Sequence, residues 1–520
     1  MRPAEPALGE TPTSPERYGY YVLAVLMAVY ALNFIDRQLI TILAPDLKRE
    51  LGISDSDFGF LYGTAFGVFY AVFGIPLGKL SDHWSRVRLL TIGLGLWSAM
   101  TALSGMARSF LQLGMARIGV GVGEATASPC AYSLISDYFP PSRRATAIAV
   151  YSAGLYVGGG ISLYFGSMIT AEWNAAFAGG GAPLGLAGWQ AAFLTMGIPG
   201  LLLAALVATL REPPRGRFDP PQEEAAPVTV SPLADFMRSM ESVLPPFTLM
   251  ATARSGTRAL VVNLAGAAVA ALLACAMTLL TGDLVQWSAY ALGCYAVFSW
   301  GQNLRLSDKA TFNAVCGSRA LVGTTLGYGL MTIVGYAMTG FAPLYAIEVL
   351  GADPQEAGFV LGGAGMLGGI LGVVLAGIIT DRLAGNARNY RRIWVVAVAA
   401  LGAAMLHALM FTATSRPLFY ALNFIGWIFF SATLGGSSGA VVNAVSPRVR
   451  GVATSGFILG STMLGLAIGP YSAGKFSALF GDLGAGLLVL LVVVPFGLIA
   501  LVLAERDLRR RDRATTVRAA

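Results

Sequence analysis

The chain has 520 residues, of which 55% are hydrophobic and 12% charged, with a formal net charge of +7 and a mean hydropathy of +0.66. Soluble proteins carry about 25% charged residues, so this chain lacks the charge to coat a water-soluble fold; soluble enzymes, secreted scaffolds, disordered chains and nucleic-acid binders are disfavoured together. Its 64 glycines exceed the usual share of about 7% and suit helices that pack closely in lipid.

Residues 1–18 are polar and proline-rich and read as a short tail without an apolar signal segment. Apolar runs follow at 19–45, 57–79, 88–107, 110–137, 145–169 and 188–210. Each is long enough to cross the hydrocarbon as a helix, which predicts an N-terminal six-helix bundle over 19–210. The stretch 211–257 holds Arg211, Glu212 and PPQEEAAP and predicts a cytoplasmic linker. Runs at 259–281 and 284–301 predict an extra transmembrane hairpin over 258–302. An interfacial hairpin, entering and leaving on one side, fits the same flanking charges. A loop at 303–317 precedes runs at 318–349, 355–380, 393–413, 417–445, 451–475 and 482–504. These predict a C-terminal six-helix bundle over 318–504, followed by a basic cytoplasmic tail at 505–520. The expectation is an all-α integral membrane protein with fourteen spans. The runs are too long for the strands of a β-barrel, which need only about 10 alternating residues.

With the N-terminus inside, 28 of the 35 Lys and Arg fall in cytoplasmic segments and only Lys48, Arg49, Arg108 and Arg416 in outside loops. By the positive-inside rule both termini are cytoplasmic, in the inner membrane of a cell, and the net charge is a topology signal rather than a sign of nucleic acid. Cys130, Cys275, Cys294 and Cys316 form no CxxC, and His83 and His407 lie far apart, so no metal site, disulfide framework or cofactor is expected.

The chain repeats itself. A shift of 306 residues places Pro141 on Pro447, Arg144 on Arg450, Ala147 on Ala453 and Gly154 on Gly460. Gly78 and Asp82 have counterparts in Gly377 and Asp381. Two similar halves imply a pseudo-two-fold axis along the membrane normal, a site between the halves, and rocking between inward and outward openings.

At these residues the chain resembles the major facilitator superfamily. Gly78, Leu80 and Asp82 followed by Arg86 and Arg88 match its loop motif, with His83 and Ser85 standing where a more basic residue and a glycine are usual. Arg117, Gly121 and Gly123 resemble its proton-transfer motif, and Gly154 with Gly158 its glycine motif in span five, without the usual proline. The segments LNFIDRQLI and RIGVGVGEA look like the Spinster branch. That resemblance implies lysophospholipid or sphingoid cargo, proton coupling in some members, and a major facilitator fold of two pseudo-symmetric six-helix bundles; the inserted two-helix hairpin departs from it. It also implies an inner gate at Asp82, Arg144, Asp381 and Arg450, residues that otherwise read as solvated loop charges.

Ionisable groups inside spans cost a few kcal/mol or more and are candidates for function. Asp36 and Arg37 lie in span one, Arg117 and Glu124 in span four, the latter two helical turns apart on one face. The helical rise places Asp36 at a depth between Arg117 and Glu124. If both spans line the central cavity, as the resemblance implies, Asp36 pairs with Arg117 and Glu124 faces the same water-filled space. A carboxylate beside Arg⁺ releases its proton readily, and one that loses its partner in a desolvated site takes it back. Asp36, Glu124 and Arg117 are therefore the candidates for proton coupling, with Arg37, Arg117 and Glu124 as substrate ligands; guanidinium groups suit a phosphate. The bland alternative is a static interhelical ion pair. Arg37, about 100° round the helix from Asp36, either snorkels or faces another helix.

The C-terminal half has no acidic residue deep in a span. It offers Thr324, Thr325, Tyr328, Thr332, Tyr336, Phe341 and Pro343 as an apolar, weakly hydrogen-bonding wall, with Tyr328 as a further substrate contact. Helix packing explains the same residues. The reading is a secondary transporter working by alternating access, proton-coupled and monomeric, which moves a lipid-like amphiphile among membrane lipids. A hydrophobic drug or small organic anion is the alternative cargo. No nucleophile–His–acid set or Walker motif is visible, so neither an enzyme nor an ATP-driven pump is expected.

Overall fold

The computed structural model describes residues 17–218, 232–384, 389–445 and 449–519. The tail at 1–16, the linker segment 219–231 and Pro447 of the repeat lie outside them. Among the described residues there is no strand. The first half contains α1 (Arg17–Ile42), the short α2 (Ala44–Leu51), α3 (Asp55–His83), α4 (Arg86–Ser104), α5 (Phe110–Glu124), α6 (Ala127–Tyr138), α7 (Pro141–Ala176) and α8 (Gly188–Ala208). Between the halves lie α9 (Pro232–Glu241), α10 (Phe247–Arg254), α11 (Thr257–Thr281), α12 (Leu284–Ser307) and α13 (Lys309–Val315). The second half holds α14 (Arg319–Glu348), α15 (Pro354–Ala384), α16 (Tyr390–Met410), α17 (Arg416–Asn443), α18 (Arg450–Phe480) and α19 (Leu483–Asp512).

Twelve of these helices are long and apolar enough to cross a membrane, so the chain is a multi-pass membrane protein. Two expected spans are not among the twelve. The run 110–137 is broken at Ala125–Thr126 into α5 and α6. Pro129, in the first turn of α6, has no N–H to donate, and a first turn is where a helix tolerates that loss. The other is α12, whose apolar face is diluted by Gln286, Ser299 and Gln302.

Helix ends follow local chemistry. Ser54 and Asp57 form a reciprocal capping box at the start of α3, and Ser85, Ser109 and Ser318 cap α4, α5 and α14. Gly52 and Gly481 close α2 and α18 at φ of 63° and 66°, a conformation that disfavours side chains.

Within each half the same pairs meet: α1 lies along α7, as α14 lies along α18. A β-carbon on Gly158 would run into the backbone of Ala31, so the glycine motif sets the contact of α7 with α1. The halves touch along two seams, α7 against α15 and α3 against α18. At the first seam, a β-carbon on Gly160 would lie 2.7 Å from the carbonyl oxygen of Gly362. One apolar core joins both halves at the end away from the basic loops, where Phe58 meets Phe341 edge-on at 5.1 Å. A second fills the N-terminal half around Trp97, Tyr138 and Tyr151.

The helices α11 and α12 lie side by side and share a buried polar ladder: Asn263 donates to Ser299 at 3.0 Å and to Gln302 at 2.8 Å, and accepts from Tyr295 at 2.6 Å. At their turn Asp283 meets Lys475 at 2.8 Å and Tyr471 at 2.7 Å on α18, while Gln286 accepts from Thr64 of α3 at 2.7 Å. The pair thus touches both halves along the α3–α18 seam.

Candidate functional site

The ionisable residues expected inside the spans cluster in the N-terminal half. Glu124 is buried on α5 and its Oε2 accepts from Arg37 Nε at 2.7 Å. The Arg37 guanidinium is enclosed by the rings of Phe34, Phe66 and Tyr70 at 4.9, 4.5 and 4.6 Å, whose negative faces favour a cation. Arg117 is fully buried, and its Nη1 donates to the backbone carbonyl of Asp36 at 3.1 Å. Its Nε and Nη2, both carboxylate oxygens of Asp36 and Oε1 of Glu124 have no hydrogen-bond partner among the described residues. Buried Trp97 and Ser98 of α4 also present unpartnered polar atoms, and the Thr101 hydroxyl lies within reach of the Asp36 carboxylate.

This corrects the expected pairing. Arg117 grips the backbone of α1 rather than the Asp36 carboxylate, and the ion pair is Arg37–Glu124. Phe34 and Gln38 of α1 line the cavity between the halves, so Asp36, about 200° round the helix from Phe34, faces the interior of its own bundle against α4 and α5. The charged cluster and the central cavity lie on different faces of α1.

That cavity has a volume of about 50 Å³, room for one or two waters. Gln38, Tyr156, Thr339, Pro343, Asn423 and Trp427 line it. Of the C-terminal wall expected from sequence, Pro343 is there, whereas Tyr328 packs on Phe457 at 5.1 Å in a separate apolar cluster. Gln38, Asn423 and Trp427 were missed; lone amides and aromatics in apolar runs carry no sequence signal that separates a cavity from packing.

Asp82 and Arg450 are exposed on the basic face, Arg144 donates to the Ser136 carbonyl at 2.8 Å, and Asp381 pairs with Arg392 at 3.1 Å. The last pair lies within the C-terminal half rather than across the halves. A denser network there was not expected. Arg86, fully buried, pairs with Asp137 and with Glu212 at 2.7 Å, and donates to the Pro213 carbonyl at 2.9 Å. Burial pushes the Glu212 carboxyl up, but the Val87 N–H, Arg86 and Ser85 outweigh it and hold Glu212 below its ordinary value.

The opposite face is closed across the halves. Lys48 bridges Asp55 at 2.7 Å in its own half and Glu348 at 3.0 Å in the other, and Ser477 of α18 donates to Asp55 at 2.7 Å. Burial pulls the Lys48 ammonium down, yet Asp55 and Glu348 together raise it above its ordinary value. Sequence reading registered Lys48 only as an exception to the charge asymmetry, because its partner Glu348 is 300 residues away.

The Major Facilitator Superfamily model matches residues 26–311 and 324–519. The chain belongs to the major facilitator superfamily. It is 25% identical over 487 residues to an MFS-type efflux pump of Mycolicibacterium smegmatis, covering 93% of this chain and 91% of that protein. Over 183 residues it is 30% identical to the probable L-galactonate transporter of Escherichia coli, 35% of this chain and 37% of that one. Over 207 residues it is 28% identical to protein spinster of Drosophila melanogaster, 40% and 32% of the two chains. In fold it is similar to the inward-facing, unoccupied crystal structure of a bacterial homologue of the human lysosomal transporter Spinster, with a TM-score of 0.72, 24% identity, and coverage of 95% and 98% of the two chains. The chain is thus a membrane transporter resembling Spinster, and not an enzyme.

Proposed function

We propose that this major facilitator transporter is a proton-coupled, alternating-access carrier of a lipid-like amphiphile of lysophospholipid or sphingoid type. The observation that carries the coupling is the Asp36 carboxylate, enclosed in the N-terminal bundle without an ion pair among the described residues and beside an Arg117 that donates to the α1 backbone instead. Such a group either finds a charge partner or takes a proton. Asp36 holds the proton when Arg117 grips the α1 backbone and releases it when rocking turns Arg117 onto the carboxylate. Glu124 is the second proton site, exchanging between Arg37 and a proton. Once rocking opens the bundle, Arg37 and Arg117 attract the anionic headgroup, and Tyr328, packed on Phe457 in this state, joins the wall that meets the cargo. With both termini in the cytoplasm of the inner membrane, α5–α6 and α12 bring the twelve crossings to fourteen, α11 and α12 forming an inserted hairpin. The bundles span 19–210 and 318–504, and Asp82, Arg144, Asp381 and Arg450 form the cytoplasmic gate. The working unit is a monomer.

A second reading, a small organic anion, is favoured by the names of the sugar-acid relatives and by a cavity of about 50 Å³, which an acyl chain fills only after opening. Uptake into proteoliposomes under an imposed proton gradient, with a lysophospholipid, a hexuronate and a hydrophobic drug as competing cargoes, separates the readings. Asp36→Asn is expected to abolish the pH dependence of uptake while cargo binding persists, and Glu124→Gln to lower both; full pH-dependent uptake by both variants removes the coupling scheme.

A further inference from the structure

The cavity between the halves has a chemistry of its own. No charged side chain lines it among the described residues; its polar groups are the amides of Gln38 and Asn423 and the hydroxyl of Thr339. Asn423 lies on α17 with 2% of its surface exposed. Its Nδ2 contacts the Met410 sulfur at 3.5 Å, and its Oδ1 has no partner. A thioether sulfur only accepts, so this contact fixes which end of the amide is left over. The free end is an acceptor. A buried, unpartnered acceptor on a residue that lines a cavity calls for a donor, and among uncharged groups of small molecules the common one is a hydroxyl. Thr339 spends its own proton on the Gly335 carbonyl at 2.8 Å, so its oxygen, which the Tyr62 hydroxyl also approaches, can only accept. The indole of Trp427, seated against Gly365, supplies a flat apolar face for the C–H surface that accompanies hydroxyl-bearing carbons.

We propose that Asn423 recognises a hydroxyl group of the cargo, with Thr339 as a second acceptor and Trp427 as the platform. This rests on the transporter reading. A lysolipid with a free glycerol hydroxyl and a sugar acid share this chemistry, and both serve as probes. The test compares each with its deoxy analogue: an oleoyl lysophosphatidylethanolamine and the same molecule lacking the glycerol hydroxyl, and a hexuronate and its deoxy form. Binding to the purified full-length chain and uptake into proteoliposomes are measured in parallel. Wild type is expected to prefer the hydroxylated member of at least one pair by about tenfold, the worth of one net hydrogen bond. Asn423→Ala and Asn423→Leu are expected to bring that ratio near unity while binding of the deoxy analogue persists. A merely structural role for Asn423 weakens both members alike and leaves the ratio unchanged, which overturns the proposal. An equal affinity of wild type for both members, or no binding of either pair, also overturns it. Which pair shows the preference decides the source of the hydroxyl. Binding with the expected ratio but without uptake removes the proposed cargo and leaves the subsite standing.

Discussion

At the scale of single residues, Arg37 and Glu124 form the buried ion pair of the cluster. Breaking a buried pair from one side leaves an uncompensated charge and costs about 3–5 kcal/mol, while removing both partners costs far less. Arg37→Gln is therefore expected to lower the thermal midpoint of the detergent-purified protein markedly, and Arg37→Gln with Glu124→Gln to recover most of the loss. Thermal unfolding of the three variants checks this, and additive losses mean that the pair is not coupled. Arg37 was legible as a membrane-embedded charge, but its partner was not. Neighbours on a helix diverge by about 100°, and sequence alone does not fix the rotation of α1 against α5.

At the scale of helices, the two halves repeat a device that sequence comparison of the loops did not reveal. Glu212, beyond α8, accepts the N–H of Val87 at 2.9 Å near the start of α4, and Asp512, on the polar last stretch of α19, accepts that of Tyr390 at 3.4 Å at the start of α16. Each half thus uses an acid past the apolar run of its last span to satisfy the N-terminus of its third, where a negative charge suits the helix dipole. Glu212 is held below its ordinary value, so its stabilisation is present above the ordinary carboxylate range and is lost as the pH falls through its lowered value. Glu212→Gln is expected to be less stable than wild type at neutral pH and to converge with it in strong acid, as thermal midpoints across an acid titration will show. The break between α5 and α6 was legible in principle, because Pro129 stands in the sequence. A reading by apolar run length passed over it.

At the scale of the whole molecule, the structure is closed on the face away from the basic loops. There Lys48 and Asp55 of one half meet Glu348 and Ser477 of the other. The proposed alternating-access cycle requires that this contact open. Lys48→Ala with Glu348→Gln is expected to shift the molecule toward the open form on that face. A cysteine in place of Ala473, fully buried at the α18 seam, is then labelled faster by a water-soluble maleimide than in the parent; equal labelling rates mean that the ions do not hold the face shut. Because Lys48 is raised, its contribution is fully present below the ordinary ammonium range and is lost only as the pH climbs through its raised value. This latch therefore does not switch near neutrality, and any proton dependence of the cycle there has to come from other groups.

The sequence by itself determined the class of protein, the two-fold repeat and the four charged residues Asp36, Arg37, Arg117 and Glu124. Scarcity made these legible: in a chain with 12% charged residues, an ionisable group inside an apolar run stands out. Tertiary structure alone decided which of them meet, that Asp36 turns away from the cavity, and that amides and aromatics rather than charges line it. Those outcomes depend on helix rotation and on contacts hundreds of residues apart, such as Lys48 with Glu348, and only packing the helices together sets either.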